Sequence, residues 1–432
     1  VGDVTSALLT DRYELTMVEA ALKAGTADRQ SVFELFARRL PQGRRYGLVA
    51  GTGRFLAELS RFRFGDDELT WLREARIVDD RTVDWLADYR FSGSIRGYAE
   101  GEVYLPGSPL LVVESSFAEG VLLETLALSV FNYDSAVASA AARMVSAADG
   151  RPLVEMGSRR TGERSAVAAA RAAYVAGFRA TSNLEAGRTW GVPTMGTAAH
   201  AFTLLHDTER EAFEAQVASL GPGTTLLVDT YDIPEAVRTA VEVAGTGLGA
   251  VRIDSGDLPA LVSQVREQLD GLGATSTKIT VTNDLDEYTI AALRAAPVDS
   301  YGVGTSVVSG SGHPAAGMVF KLVARQGADG EWVSVAKKSA DKATIGGRKA
   351  PVRVLVDGVA TTELVRIGVE STGEGERPLL VPLVTDGVVD ESWTGPEGVR
   401  RAREHRQAAI DELPASAFRL GRGDPVVPTV YE

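Results

Sequence analysis

The sequence predicts an α/β protein: an irregular β/α barrel in the middle of the chain, with a β-rich domain built from its N- and C-terminal segments. Between residues 120 and 310, short apolar runs alternate with Ala-rich amphipathic stretches, the texture of parallel strands joined by helical crossovers. Polar, chemically able residues follow nearly every run, and a β/α barrel gathers its site at that end of its strands. Runs of β-forming residues broken by Gly and Pro stand on both sides, at 92–116 and 317–395, and can pair with each other. The expected domains are 1–120 (N-terminal helices plus part of the β-rich domain), 121–315 (the barrel) and 316–432 (return to the β-rich domain plus a C-terminal helix).

Taken in order, residues 1 to about 90 read as mostly helical. Thr10 or Asp11 caps a first helix through Tyr13, Leu15, Met17, Val18 and Leu22, and a second follows Gly51. The barrel strands are expected at Leu153–Met156, Phe178–Thr181, Thr194–Thr197, Leu226–Asp229, Ala250–Ile253, Ile279–Thr282 and Tyr301–Val303. The crossover helices are expected at Arg164–Val175, Thr208–Ser219, Pro234–Val243, Leu258–Leu269 and Leu285–Arg294. Seven polar strand ends spread along the chain favour a barrel over an open sheet, which would gather them at one switch point. A last helix is expected at Gly398–Leu413.

Composition removes several classes of function. The 432 residues include no Cys, so there is no disulfide framework, thiol nucleophile or thiolate metal site. A net charge of −13 argues against non-specific nucleic-acid binding and against an anionic membrane surface. The longest apolar run, Val121–Phe131, carries Glu124 and falls short of a membrane span. The first residues lack a charged-then-apolar signal layout, so a soluble, cytoplasmic protein is expected.

The motifs lie at the strand ends. Gly302-Val303-Gly304-Thr305-Ser306 reads either as a nest of backbone N–H groups for a phosphate or as an ordinary Gly-rich turn. Arg159-Arg160 reads as a bidentate anion clamp or as solvated charge at a helix start. In Arg252-Ile-Asp254, guanidinium and carboxylate share one strand face, ready for an anionic substrate and a sugar hydroxyl or Mg²⁺. The other reading there is a helix cap by Ser255 or Asp257. His200, one of four histidines, sits among small residues at a strand end, where catalysis competes with a structural role. Gly245–Gly249 precedes its strand, so it is a loop and no dinucleotide fingerprint. Five of seven lysines fall between 321 and 349, with Gly346-Gly347 and Arg348, as in a mobile basic loop folding over phosphates or a solvated hairpin. These residues alone leave an aldolase, a phosphosugar isomerase and a phosphoribosyltransferase open.

The ordered set Thr10–Met17, Phe33–Phe36, Arg45–Leu48, Gly157–Arg160, Gly196–Phe202, Arg252–Leu258 and Gly302–Ser306 resembles the signatures of nicotinate phosphoribosyltransferases. The resemblance runs from about residue 8 to 350. It implies joining of nicotinate to phosphoribosyl pyrophosphate, with ATP hydrolysis coupled through a phosphohistidine, a need for Mg²⁺, and a homodimer with shared sites. It makes His200 the phosphorylated residue and Tyr13 a ring stacked on the pyridine, from the neighbouring subunit. Thr197 and Arg252 would hold the nicotinate carboxylate. Thr305 with the Gly302 and Gly304 amides would hold the 5′-phosphate, Arg159 and Arg160 would meet phosphate oxygens, and Asp254 would orient the ribose or the metal. No metal ligands are identified. The alternative is a nicotinamide phosphoribosyltransferase of the same fold; such relatives carry an acid near position 183, where uncharged Asn183 favours the acid substrate.

Overall fold

The computed structural model describes residues 5–337 and 344–432. The chain divides into two compact units, Ala140–Gly312 and the combination of Val1–Ser139 with His313–Glu432.

The central unit holds a six-stranded, wholly parallel sheet. Its strand order is Ala180–Thr181, Leu153–Glu155, Ser300–Val303, Lys278–Val281, Ala250–Ile253 and Thr225–Leu227. Six of the seven expected strands form. The seventh, Thr194–Thr197, makes only one bridge, Thr194 to Thr181. Pro193 precedes it and Gly196 lies within it, and such residues interrupt a hydrogen-bonded ladder. The sheet is therefore a barrel left open between that segment and Thr225–Leu227. Its strands read as continuous apolar runs because helices cover the sheet.

Those crossover helices start where polar caps stand. Thr208 and Glu211 form a reciprocal capping box at the start of Glu209–Leu220. Asp232 caps Ile233–Ala244, whose second residue is Pro234, and Asp286 caps Glu287–Ala292. Helices Glu163–Val175 and Leu258–Gly271 complete the set. The Gly245–Gly249 segment is a loop, and a side chain at Gly249 would meet the Gly223 carbonyl at 2.0 Å.

The other unit draws strands from both ends of the chain. Its seven-stranded antiparallel sheet has Gln30–Ala37 in its interior, between Met318–Gln326 and Pro109–Ser116. Ser94–Tyr98 pairs with Leu380–Thr385 on the far side. A second sheet contains Glu376–Pro378, Lys349–Val356, Val359–Ile367 and Thr429–Tyr431. The N-terminal region forms helices Arg12–Ala24, Thr52–Leu59, Asp66–Glu74 and Asp80–Asp88, as expected, but the interior strand Gln30–Ala37 interrupts them. The residues of that strand are buried almost throughout, so the alternation that marks a half-exposed strand is missing. One face carries the stacked Phe33–Phe320 pair, with centroids 5.2 Å apart. Glu34 is buried too, where the Lys349 ammonium meets it at 2.6 Å.

One stretch, Phe117–Ala148, is long and apolar enough by composition to cross a membrane; 67% of its most apolar segment is buried inside the protein. It forms helices Phe117–Val121 and Glu124–Ala148. The C-terminal helix runs over Gly395–Asp411. It is held by a buried network: Glu102 accepts from His405 Nε2 and Arg377 at 2.8 Å each, and Arg377 also donates to Glu412 at 2.6 Å. Burial pushes the Glu102 carboxyl up, but the His405 hydrogen bond and the Arg353 and Arg377 guanidiniums outweigh it and hold the group down at about 2.

Candidate active site

The polar ends of the parallel strands converge on Asp229, two residues beyond Thr225–Leu227. Its side chain is 1% exposed and serves three donors. Oδ1 faces His200 Nε2 at 3.1 Å. Oδ2 accepts the Asp254 amide at 2.9 Å and the Ser255 hydroxyl at 2.8 Å. A carboxylate only accepts, so Nε2 carries the ring proton and Nδ1 keeps its lone pair. His200 opens the short helix His200–Leu205 and is 40% exposed, so Asp229 fixes the imidazole from below while its other edge stays open. The Thr282 hydroxyl donates to Asp254 Oδ1, linking three successive strand ends. Just beyond, Asn283 adopts φ 105°, a conformation that non-glycine residues rarely hold outside functional turns.

Arg252 projects from Ala250–Ile253 toward the segment that precedes His200. Its guanidinium donates to Thr197 Oγ1 at 2.8 Å and to the Ala198 carbonyl at 3.3 Å. Its Nε is buried without a hydrogen-bond partner. A buried guanidinium N–H left unpaired is costly, and an anion brought to it would remove the cost.

A second polar chain joins the neighbouring strands. Glu155, fully buried, accepts the Thr181 hydroxyl at 2.5 Å and the Gly157 amide. Burial pushes its carboxyl up, and those two hydrogen bonds offset part of the shift. Asn183 spends its side chain inside the protein. Its oxygen caps helix Leu184–Trp190 through the Ala186 amide at 2.9 Å, and its NH₂ donates to Ser158 Oγ at 3.0 Å. Arg159 and Arg160 lie exposed on the 3₁₀ turn that follows. Gly157 packs against the Gly302–Ser306 loop, where a side chain would meet Val308 at 2.3 Å and the Gly304 carbonyl at 2.8 Å. Gly302 is buried within its strand, with no room for a side chain against Thr282 and Met156, so packing explains this glycine. Gly304 and Thr305 stand at the open end, and Thr305 is exposed.

Comparison with known proteins bears on this site. The family model for the nicotinate phosphoribosyltransferase (NAPRTase) N-terminal domain matches residues 8–132. The chain is 57% identical to the nicotinate phosphoribosyltransferase pncB1 of Mycobacterium tuberculosis, over 98% of this chain and 94% of that protein. The chain belongs to the nicotinate phosphoribosyltransferase family. The family enzyme of Bacillus subtilis is 36% identical over 82% of this chain and 74% of its own length. The structure of human nicotinic acid phosphoribosyltransferase matches with a TM-score of 0.82 and 26% identity, covering 98% of this chain and 97% of that one. The nicotinate-nucleotide pyrophosphorylase of Pyrococcus furiosus shares the fold, with a TM-score of 0.75 at 22% identity.

Within this family member, His200, Thr197, Arg252 and Asp254 fall into two neighbouring hydrogen-bonded groups, His200 with Asp254 through Asp229, and Arg252 with Thr197. Tyr13 lies in the other unit, on helix Arg12–Ala24, with 45% of its surface exposed. Asp229 closes one of the polar strand ends read from the sequence, where it receives no role; its place two residues beyond a barrel strand is its signal. Ser158 and Glu155 receive none either; both support neighbours through contacts that spacing does not reveal.

The basic loop is corrected in part. Lys349 is buried against Glu34, each side chain 2% exposed, so it is a core ion pair. Arg348 lies over the Trp332 ring at 5.3 Å and pairs with Glu114 at 2.7 Å. Lys321 sits in a strand, 3.8 Å from Glu124. Lys337 is exposed, while Lys338 and Lys342 lie outside the described residues.

Proposed function

We propose that this enzyme joins nicotinate to phosphoribosyl pyrophosphate, releasing nicotinate mononucleotide and pyrophosphate, and that ATP hydrolysis is coupled to this through a phosphohistidine at His200. The carrying observation is that the Asp229-held imidazole and the incompletely paired Arg252 guanidinium occupy adjacent ends of one sheet.

Arg252, steadied by Thr197, would take the nicotinate carboxylate in a planar, charge-assisted contact. Tyr13 of a second copy would stack on the pyridine ring in a homodimer. Gly304 and Thr305, next to Gly302, would receive the 5′-phosphate, and the exposed Arg159 and Arg160 would meet pyrophosphate oxygens. The pyridine nitrogen then attacks the anomeric carbon; the new C–N bond forms as the C–O bond to pyrophosphate breaks and its electron pair leaves with the pyrophosphate. No general base is needed, because the nitrogen already holds a free pair. Positioning and neutralisation of the leaving group are the protein's contribution.

In the coupled step, His200 Nδ1 attacks the γ-phosphorus of ATP, ADP departs, and water later cleaves the P–N bond. The hydrogen bond from Nε2 to Asp229 stabilises the positive charge that the ring develops. When bound with the polyphosphate substrates, Mg²⁺ would neutralise their oxygens. Among the described residues no three His, Cys, Asp or Glu side chains form a metal cage. That suits a cation brought by phosphates and met by one carboxylate, Asp254. The proposed setting is the cytoplasm.

The test is a product assay by mass spectrometry with Mg²⁺, phosphoribosyl pyrophosphate, nicotinate or nicotinamide, with and without ATP. Nicotinate mononucleotide formed faster with ATP, alongside ADP, is expected. His200→Ala should abolish that stimulation and leave slow nucleotide formation. Product from nicotinamide alone would refute the substrate assignment, and an unchanged ATP response in His200→Ala would refute the phosphohistidine.

A further inference from the structure

The turn that carries Arg159 and Arg160 is too short to hold itself rigid. It is the three-residue 3₁₀ turn Ser158–Arg160, closed by the Arg160 amide on the Gly157 carbonyl at 2.8 Å. So brief a turn has few hydrogen bonds of its own, and 3₁₀ geometry makes them poorer than those of an α-helix. The neighbouring strands supply the rest. Glu155 stands in register with Thr181 across the parallel pair Leu153–Glu155 and Ala180–Thr181. One oxygen of the buried Glu155 carboxyl takes the Gly157 amide, and the other takes the Thr181 hydroxyl at 2.5 Å. The same Thr181 oxygen accepts the Asn183 backbone amide at 3.0 Å. The Asn183 side-chain NH₂ then donates to Ser158 Oγ at 3.0 Å and closes the ring. The start of the turn is thus held from two sides, through Gly157 on Glu155 and through Ser158 on Asn183.

We infer that Asn183 is a positioning residue for the pyrophosphate end of the site: by holding Ser158 it fixes the turn from which Arg159 and Arg160 are offered. The inference rests on the proposed contact of those arginines with pyrophosphate oxygens and adds what aims them. Two long side chains lose rotamer freedom when they clamp an anion, and a turn fixed beforehand spares the further cost of ordering the backbone beneath them. Asn183 divides its side chain between two tasks. Its oxygen caps helix Leu184–Trp190 through the Ala186 amide, and only its NH₂ serves the turn. A serine at this position keeps the cap, since Ser and Asn cap helices about equally well, but it has no second polar group to reach Ser158. Asn183→Ser therefore separates the two tasks.

The experiment measures kcat and the separate KM values for phosphoribosyl pyrophosphate and nicotinate in the full-length enzyme at saturating ATP. The variants are Ser158→Ala, Asn183→Ser, those two combined, and Arg159→Ala combined with Arg160→Ala. Ser158→Ala and Asn183→Ser should each raise the KM for phosphoribosyl pyrophosphate about fivefold, the scale of one neutral hydrogen bond. The nicotinate KM and kcat should stay within about twofold of the parent. Ser158→Ala combined with Asn183→Ser should be no worse than either alone, because both remove the same contact. An unchanged KM for phosphoribosyl pyrophosphate in either single variant, beside a raised one in the arginine variant, overturns this inference and leaves the arginine role standing. An unchanged KM in the arginine variant overturns both. A merely structural role would raise the two KM values together or lower kcat alone, and either pattern overturns the inference. So do additive losses in the combined variant, which would place the effects of Ser158 and Asn183 in separate contacts. Ser158→Ala removes one half-buried hydroxyl, so the comparison survives if Asn183→Ser misfolds.

Discussion

Replacing Asp229 by Asn isolates the contribution of one carboxylate to the proposed phosphohistidine. Asp229 receives His200 Nε2 at 3.1 Å, the Asp254 amide at 2.9 Å and the Ser255 hydroxyl at 2.8 Å. Asparagine fills the same volume with one acceptor oxygen and one NH₂. With the oxygen toward Asp254 and Ser255, the NH₂ meets Nε2, which must then accept. The ring proton moves to Nδ1 and the open edge of His200 loses its lone pair. With the amide reversed, the tautomer survives and the Asp254 amide is left facing a donor. Either way at least one hydrogen bond to a charged group is lost, worth about 1.5–3 kcal/mol, so phosphorylation should slow about 10–150-fold. The assay is rapid-quench transfer from γ-labelled ATP, with the label mapped to His200. Nucleotide formed without ATP serves as the control for intact substrate binding. Labelling at the parental rate in Asp229→Asn would refute the reasoning that Asp229 sets the tautomer.

Three further outcomes are expected. Arg252→Ala should raise the nicotinate KM about 30-fold or more, the cost of stranding a desolvated carboxylate, and an unaffected KM would mean that another residue reads that group. Lys349→Met should lower unfolding free energy by about 3–5 kcal/mol in urea melts by leaving the buried Glu34 carboxyl without its cation. A loss under about 1 kcal/mol would contradict the buried-pair reading, and adding Glu34→Leu should recover much of the stability. Glu14 is pushed up to about 7, chiefly by burial. A carboxyl raised on folding favours the folded state below its unfolded value, and that contribution is lost as pH climbs from about 4.5 to 7, by at most about 3 kcal/mol. Thermal melts of Glu14→Gln should lack that part of the pH slope; an identical slope would exclude Glu14 as its source.

Much of the central unit is legible because its helices start at polar caps and its strands are bounded by loops. Thr208, Asp232 and Asp286 cap helices within two residues of the starts expected at Thr208, Pro234 and Leu285. The site is legible as a set of strand ends, since the chemistry sits where the apolar runs stop. The strand Gln30–Ala37 was hidden because it is covered on both faces and carries a buried acid, so neither alternation nor polarity betrays it. Lys349 was misread because its partner, Glu34, is more than 300 residues away in sequence. Asp229 stands at a legible strand end, but a lone acid after a strand has many fates, so the sequence assigns it no role. Only the positions of His200, Asp254 and Ser255 around it reveal its work.

The two-part chain also sets an order of assembly during synthesis. Residues Ala140–Gly312 hold all six strands of the parallel sheet, so that sheet can form once this stretch has left the ribosome. The interior strand Gln30–Ala37 must wait for Met318–Gln326, about 280–295 residues later. At about 5–20 residues per second the delay is roughly 15–60 s. Throughout that interval a strand that folding buries almost completely has one unfilled edge, the condition under which strands pair with the wrong chain. Nascent-chain pulldown of holdase chaperones should therefore rise when the N-terminal strand emerges and fall only after residue 326 is exposed.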